Sequence, residues 1–275
     1  MSERKLVILG GDKRLDYVYD KFSENNKSCV RINSYTENLS DVISGAVYIV
    51  LPVPCCDSKS NIFSVNKDFK LSCDALVEML SDKNIVFGCN FSKELIYQLG
   101  RKNIIYYDLN RNEEFLIYNA FLTAQSALRL MLENTEALLT DKRVLITGFG
   151  RVSRALAHTL KGVTPDITVC ARKKEQLNEA YCLSYKTTTY DKLSDTISNY
   201  DIIFNTVPDR IFDKEKISLF KGDAVYVELA SSPYGADRND FEISNKQYIL
   251  AGGLPGKYTP YSAGKKIAEI IEKLI

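Results

Sequence analysis

The 275-residue chain holds a single histidine, His158, and that scarcity removes most of the usual catalytic menu. No multi-histidine metal site can be assembled, and any Ser–His or Cys–His pair would have to use this one residue. It closes the run Arg154-Ala155-Leu156-Ala157-His158, where helical spacing predicts a residue at or near the surface. No metal is expected. The seven cysteines, Cys29, Cys55, Cys56, Cys73, Cys89, Cys170 and Cys182, include no C-x-x-C pair. An odd, scattered set within apolar runs fits reduced thiols in a cytoplasm. The formal net charge is only +1, without the basic excess of a nucleic-acid-binding protein. Neither a signal-peptide core nor an apolar run of roughly 18 residues stands out, so neither export nor membrane spanning is predicted.

What is present is an ordinary globular composition, 45% hydrophobic and 26% charged, arranged as alternating strands and helices. Short apolar runs predict strands over 5–9, 28–32, 46–51, 85–88 and 104–107, with helical spacing over 12–24, 74–80 and 92–100. A long helical pattern runs from about Glu113 to Leu139. A second alternating series then begins, with strands over 143–147, 167–171, 201–206, 224–229 and 248–251, and a helix over 152–160. An amphipathic helix over 261–274 ends it. Strands joined by crossover helices favour parallel sheets covered on both faces. The fold class is therefore α/β in two domains: a flavodoxin- or Rossmann-like domain over 1–120 and a doubly wound Rossmann dinucleotide-binding domain over 141–256. Residues 121–140 are predicted to link them, and 257–275 to pack back on the first. A cleft between two such domains is the default small-molecule site.

The stretch RVLITGFGRVSRALA carries the clearest chemistry. A buried strand runs into Gly148-Phe149-Gly150, and a helix begins near Arg151 and Val152. The first glycine permits a tight turn; the second lets backbone amides approach a pyrophosphate at the helix's positive end. Ser153 replaces the usual third glycine or alanine and is small enough for close helix–strand packing. Where an acidic residue would hydrogen-bond the ribose of NAD, about 20 positions on, the chain has Ala171, Arg172 and Lys173. Arginine grips a phosphate through charge-assisted paired bonds, so these residues favour NADP; a solvated basic turn is the structural alternative. Ligands gather at the carboxyl ends of strands in such sheets. That nominates Asn205, Thr206, Val207 and Pro208, then Leu229, Ala230, Ser231 and Ser232.

The ordered strings VILGGDKR, AVYIVLPVP, EEFLIYNAFLTAQSAL, the glycine motif, NTVPDRI, LASSPYGAD and GGLPGKYTPYSAG resemble the family of the dipicolinate synthase A subunit. The resemblance spans nearly the whole chain. It implies a sporulation enzyme that oxidises dihydrodipicolinate to dipicolinate with NADP, beside a flavoprotein-like B subunit of the synthase, and a homo-oligomer. It also brings Leu254 and Pro255 towards the cofactor. For the two substrate carboxylates it nominates Arg14, with Asn119, Thr123, Gln125, Ser231 and Ser232 as neutral partners. The chain departs from the family pattern at three places. T-x-E-G in the long helix is Thr123-Ala124-Gln125-Ser126, and glutamine cannot take up a proton, so the general base is unassigned. The family's Gly-Gly is Tyr234-Gly235, and its PGLPG is Gly252-Gly253-Leu254-Pro255-Gly256. The alternatives are a non-catalytic NADP-binding subunit that needs its partner, or another two-domain NADP-dependent dehydrogenase. A 2-hydroxyacid type would need a histidine paired with a carboxylate, and a shikimate type a Lys–Asp pair absent from the N-terminal segment.

Overall fold

The computed structural model describes residues 5–24 and 28–275; residues 1–4 of the expected first domain lie outside that range. The chain divides into two compact units. One joins the N-terminal part up to Tyr118 with Gly256–Ile275, and the other is Asn119–Pro255.

In the first unit, β1 (Leu6–Leu9), α1 (Lys13–Glu24), β2 (Cys29–Ile32), α2 (Leu39–Ser44), β3 (Tyr48–Val50), α3 (Cys73–Met79), β4 (Ile85–Gly88), α4 (Lys93–Arg101) and β5 (Ile105–Asp108) follow in order. All strand pairings are parallel, in the order β2-β1-β3-β4-β5. The pleat's period of two divides the core cleanly. Val7, Leu9, Ile49, Leu51 and Val86 pack on one face with α3 and α4 residues. Leu6, Ile8, Tyr48, Val50 and Phe87 pack on the other with α1. Ser72 and Ser92 cap α3 and α4 by accepting the N–H groups of Ala75 and Leu95.

Helix α5 (Glu113–Glu133) contains the boundary between the units. It stops six residues short of the predicted Leu139 because Asn134 turns its amide back onto the Leu130 carbonyl at 2.8 Å and closes the last turn. An 18-residue window of α5 has a mean hydropathy of 1.2 and is 44% buried. Among the described residues this helix alone is long and apolar enough, by length and composition, to cross a membrane. It is not a continuous apolar run, since Asn119, Thr123, Gln125, Ser126 and Arg129 interrupt it.

The second unit contains β6 (Arg143–Thr147), α6 (Arg151–Leu160), β7 (Asp166–Cys170), α7 (Lys174–Cys182), β8 (Lys186–Thr188), α8 (Leu193–Thr196), β9 (Ile202–Asn205), α9 (Lys214–Ser218), β10 (Val225–Glu228), α10 (Arg238–Ile243), β11 (Gln247–Leu250) and α11 (Leu254–Tyr258). Its parallel six-stranded sheet has the order β11-β10-β9-β6-β7-β8. Counted within the unit this is the doubly wound 3-2-1-4-5-6 arrangement, whose strand order reverses between β6 and β9. Strand β8 escapes the sequence pattern because Lys186-Thr187-Thr188 is an exposed polar edge with no apolar alternation.

Helix α12 (Pro260–Glu272) completes the first unit. Ile267, Ala268, Ile270 and Ile271 join the core face that holds Leu15, Val18 and Phe22 of α1. Gly264 makes the approach possible, since a Cβ there would lie 2.3 Å from the Arg14 carbonyl oxygen and 2.8 Å from Tyr17 Cβ.

Candidate functional site

Strand β6 delivers Gly148, Phe149 and Gly150 to the carboxyl edge of the second sheet. Gly148 has φ +83°, and a Cβ there would lie 2.7 Å from Val207 Cγ2 and 2.9 Å from Thr206 Oγ1. This glycine therefore serves the turn and its packing on the neighbouring strand end. Gly150 is different. It stands at the N-cap of α6 with φ −90°, and among the described residues, its chain neighbours and its own helix backbone aside, no atom lies within 4 Å of where a Cβ would lie. Its backbone faces open space at a helix's positive end, the geometry a pyrophosphate requires. Arg151 is exposed and Val152 half-buried beside it. Ser153 is buried and donates to the Gly150 carbonyl at 3.0 Å, tightening the first turn. Phe149 points its ring inward, against Tyr185 and beneath Arg154.

At the end of β7, Ala171 is buried and its N–H donates to Thr188, so it shapes the edge rather than facing it. Arg172 and Lys173 are exposed; Arg172 comes within 4.0 Å of Asp209, itself exposed. No acid occupies the ribose position after β7, and the open Gly150 and the exposed basic pair together fit a dinucleotide.

Asn205, Thr206, Val207, Leu229 and Ala230 converge at the ends of β9 and β10, though not as ligand contacts alone. Asn205 is fully buried. Its Oδ1 accepts from the Thr147 hydroxyl at 2.5 Å and the Val207 N–H at 3.2 Å; its Nδ2 donates to the Val207 carbonyl and to Glu228 Oε1. Thr206 donates to the Thr147 carbonyl, and Ala230 N–H to Glu228 Oε1. These groups are used up inside the protein. Thr206 and Val207 stay half-buried and Pro208 exposed at the edge; Leu229 is half-buried, and Ser231 and Ser232 are exposed. Leu254 and Pro255 open α11 and are both buried.

Glu228, which sequence reasoning missed, is the centre of this group. It is 0% exposed and accepts from Asn205, Tyr226, Ala230 and Gly235. Burial pushes its carboxyl above the ordinary range, against the pull of those donors. A charged residue inside the apolar run AVYVELA was the available signal, since glutamate is almost never fully buried without partners.

On α5, the Thr123 hydroxyl donates to the Asn119 carbonyl and that of Ser126 to the Leu122 carbonyl. Both are tied to their own helix. Asn119 is half-buried and Gln125 exposed.

In the first unit, Arg14 is 7% exposed. It holds Asp12 through Nε and Nη2, at 2.9 and 2.7 Å, and donates to the Val53 carbonyl. It thus bridges the carboxyl ends of β1 and β3, where this sheet's order reverses. The Gly10-Gly11 turn beside it is closed: Gly10 N–H donates to Ile32 and Gly11 N–H to Phe63. Of the two glycine turns, only the second unit's is open in the way a dinucleotide needs. Cys89 ends β4 nearby, its thiol pushed up to about 12 by burial. His158 is exposed on α6, its ring edge-on to Phe121.

The doubly wound sheet, the open glycine turn and the strand-end loops define a dehydrogenase-like protein built for a nicotinamide dinucleotide. Residues 103–234 match the family model "D-isomer specific 2-hydroxyacid dehydrogenase, NAD binding domain", and residues 5–110 match the model of the N-terminal domain of the dipicolinate synthase A subunit. The chain resembles that subunit along almost its whole length. It is 25% identical to the one from Bacillus subtilis (strain 168) over an alignment of 289 residues that covers 98% of this chain and 95% of the relative. The crystal structure of the Bacillus halodurans protein of the same name shares the fold at 19% identity, with a TM-score of 0.89 over 99% of this chain and 97% of that one. A transhydrogenase from Sinorhizobium meliloti shares it at 11% identity and a TM-score of 0.69, over 98% and 92% of the two chains.

Proposed function

We propose that the chain is the A subunit of a dipicolinate synthase, oxidising dihydrodipicolinate to pyridine-2,6-dicarboxylate with NADP in the cytoplasm during sporulation. The carrying observation is the open backbone of Gly150 at the start of α6, with Arg172 and Lys173 exposed where an acid would select NAD. The resemblance to the Bacillus subtilis protein supports the substrate.

Bound NADP supplies the hydride acceptor. The dihydropyridine ring would lose one hydride to that acceptor and one proton to solvent water, and the gain of aromaticity would drive the reaction without a strong enzymic base. The chain's own task is then positioning. Gly148 shapes the turn, the backbone of Gly150 would place the pyrophosphate, and Arg172 and Lys173 would hold the 2′-phosphate. The Arg172–Asp209 pair is an exposed contact of little strength, which a phosphate displaces. In the first unit, Arg14 is held in one orientation by Asp12 at the reversal point of the sheet, a cation suited to a carboxylate. Ser231 and Ser232 offer hydroxyls at the β10 edge.

A second reading is a non-catalytic NADP-binding subunit that turns over only with the flavoprotein-like B subunit. It is favoured by the commitment of Arg14 to Asp12 and of Thr123 to its own helix. Purified chain is assayed with dihydrodipicolinate and NADP, with and without that partner. NADPH formation by the chain alone supports the first reading; formation only in the partner's presence supports the second. Titration with NADPH and NADH tests the cofactor. Arg172→Ala is expected to weaken NADPH by about tenfold or more, the value of one charged hydrogen-bond pair, and NADH little. Equal losses would overturn the choice of NADP.

A further inference from the structure

Four donors converge on the two oxygens of Glu228. Oε1 accepts from Asn205 Nδ2 at 2.6 Å and Ala230 N at 3.0 Å; Oε2 accepts from the Tyr226 hydroxyl and Gly235 N, both at 2.8 Å. Through Asn205 the network continues to the Thr147 hydroxyl, one residue before Gly148. The carboxylate therefore ties together the exits of β6, β9 and β10. It also closes the loop 229–235 onto the end of β9. Gly235 is required for this closure, because a Cβ there would fall 2.4 Å from Asn205 Nδ2 and 2.8 Å from the Tyr226 hydroxyl. Four donors and no acceptor call for an ionised carboxylate, a costly group to bury unless its bonds are needed.

Position explains the need. Arg172 and Lys173 leave β7, which lies on the other side of β6 from β9 and β10. The basic pair meets the adenosine half of a dinucleotide, while the loops held by Glu228 stand on the other side of the point where the strand order reverses. We propose that Glu228 is a positioning residue for the nicotinamide half of the cofactor, acting through Asn205 and the loop 229–235 and leaving the adenosine half unaffected. The proposal rests on the cofactor reading above.

The test uses two probes on the full chain: NADPH, and adenosine 2′,5′-bisphosphate, which carries only the adenosine half. Glu228→Gln keeps the volume but brings an amide donor into a nest of donors. It is expected to raise the NADPH Kd by about tenfold, one buried donor left unpaired, and the bisphosphate Kd by less than about twofold. Equal weakening of both probes, or no weakening of either, overturns the proposal. A wild-type chain that binds neither probe overturns the cofactor reading itself, so the two failures are distinguishable. If E228Q does not fold, Tyr226→Phe removes a single donor and carries the test. It must weaken NADPH selectively, and equal or absent effects overturn the proposal.

Discussion

At Gly148 a Cβ would collide with Val207 and Thr206, and the backbone lies in the left-handed region. Two residues later, at Gly150, the same added carbon meets nothing and the φ of −90° suits any residue. The two substitutions should therefore separate stability from binding. Gly148→Ala is expected to lower unfolding stability by about 1–3 kcal/mol, from overpacking and positive-φ strain. Gly150→Ala is expected to leave the thermal midpoint nearly unchanged while raising the NADPH Kd by about tenfold, as a methyl group enters the pyrophosphate's space. Thermal unfolding and NADPH titration of both variants check this; a Gly150→Ala chain that binds NADPH normally would remove that backbone from the site. The sequence motif names both glycines but does not assign these separate jobs. The difference depends on Thr206 and Val207, which reach Gly148 only once β9 pairs with β6.

Asp201, at the foot of β9, works at the scale of elements. Its carboxylate accepts the Arg143 N–H at 2.8 Å and the Lys221 ammonium, joining the start of β6 to the turn before β10. Burial raises its carboxyl, but the Arg143 N–H and Lys221 outweigh that and hold it below the ordinary aspartate range. A depressed acid contributes stability that is present above its unfolded pKa and lost as pH falls through its folded pKa. Asp201→Asn should thus cost about 1–2 kcal/mol at neutral pH, with the gap from wild type closing below about pH 4. Denaturant unfolding at pH 7 and pH 3 measures both ends, and a gap unchanged at pH 3 would place the effect in packing instead of charge. The inner strands β1, β3, β4, β6, β7, β9 and β10 are legible because each is a compact apolar run, buried on both faces along most of its length. Strands β2, β5 and β11 keep enough of that pattern at or near the sheet edges to be read as well. Strand β8 and helices α2 and α7 to α11 are not legible: short, polar or irregular segments owe their form to tertiary partners. Helix α5 is placed correctly at its start and overrun at its end, since Leu138 and Leu139 continue the apolar spacing beyond the Asn134 cap.

For the whole molecule, two sheets each begin with a strand and a glycine turn, VILGGD and VLITGFG, and composition alone does not rank them as dinucleotide sites. What separates them is long-range. The Phe63 carbonyl takes the Gly11 N–H, and Val65 donates its own N–H to the Gly11 carbonyl, a bridge between distant stretches of chain that no local pattern announces. Among the described residues nothing comparable closes over Gly150. Site residues are legible to the same degree. The exposed Arg172 and Lys173 stand out because they break a familiar spacing, whereas Glu228 reads as one more residue of a strand. Hydrogen exchange along the full chain with and without NADPH tests this ranking of the turns. Ligand at 100 times its Kd stabilises the bound unit by about 2.7 kcal/mol, slowing by about a hundredfold those core amides that exchange only through its unfolding. Protection is expected over 150–152 and 172–174, and in the strands β6, β7 and β9 behind them, while the Gly148 N–H, which already donates to the Cys170 carbonyl, responds only with its strand. The amides of Gly10 and Gly11 already donate within the protein, so NADPH should leave their exchange unchanged. Protection centred on 10–12 instead would mean that the cofactor enters the first unit, and both the NADP assignment to Arg172 and the role given to Glu228 would fall with it.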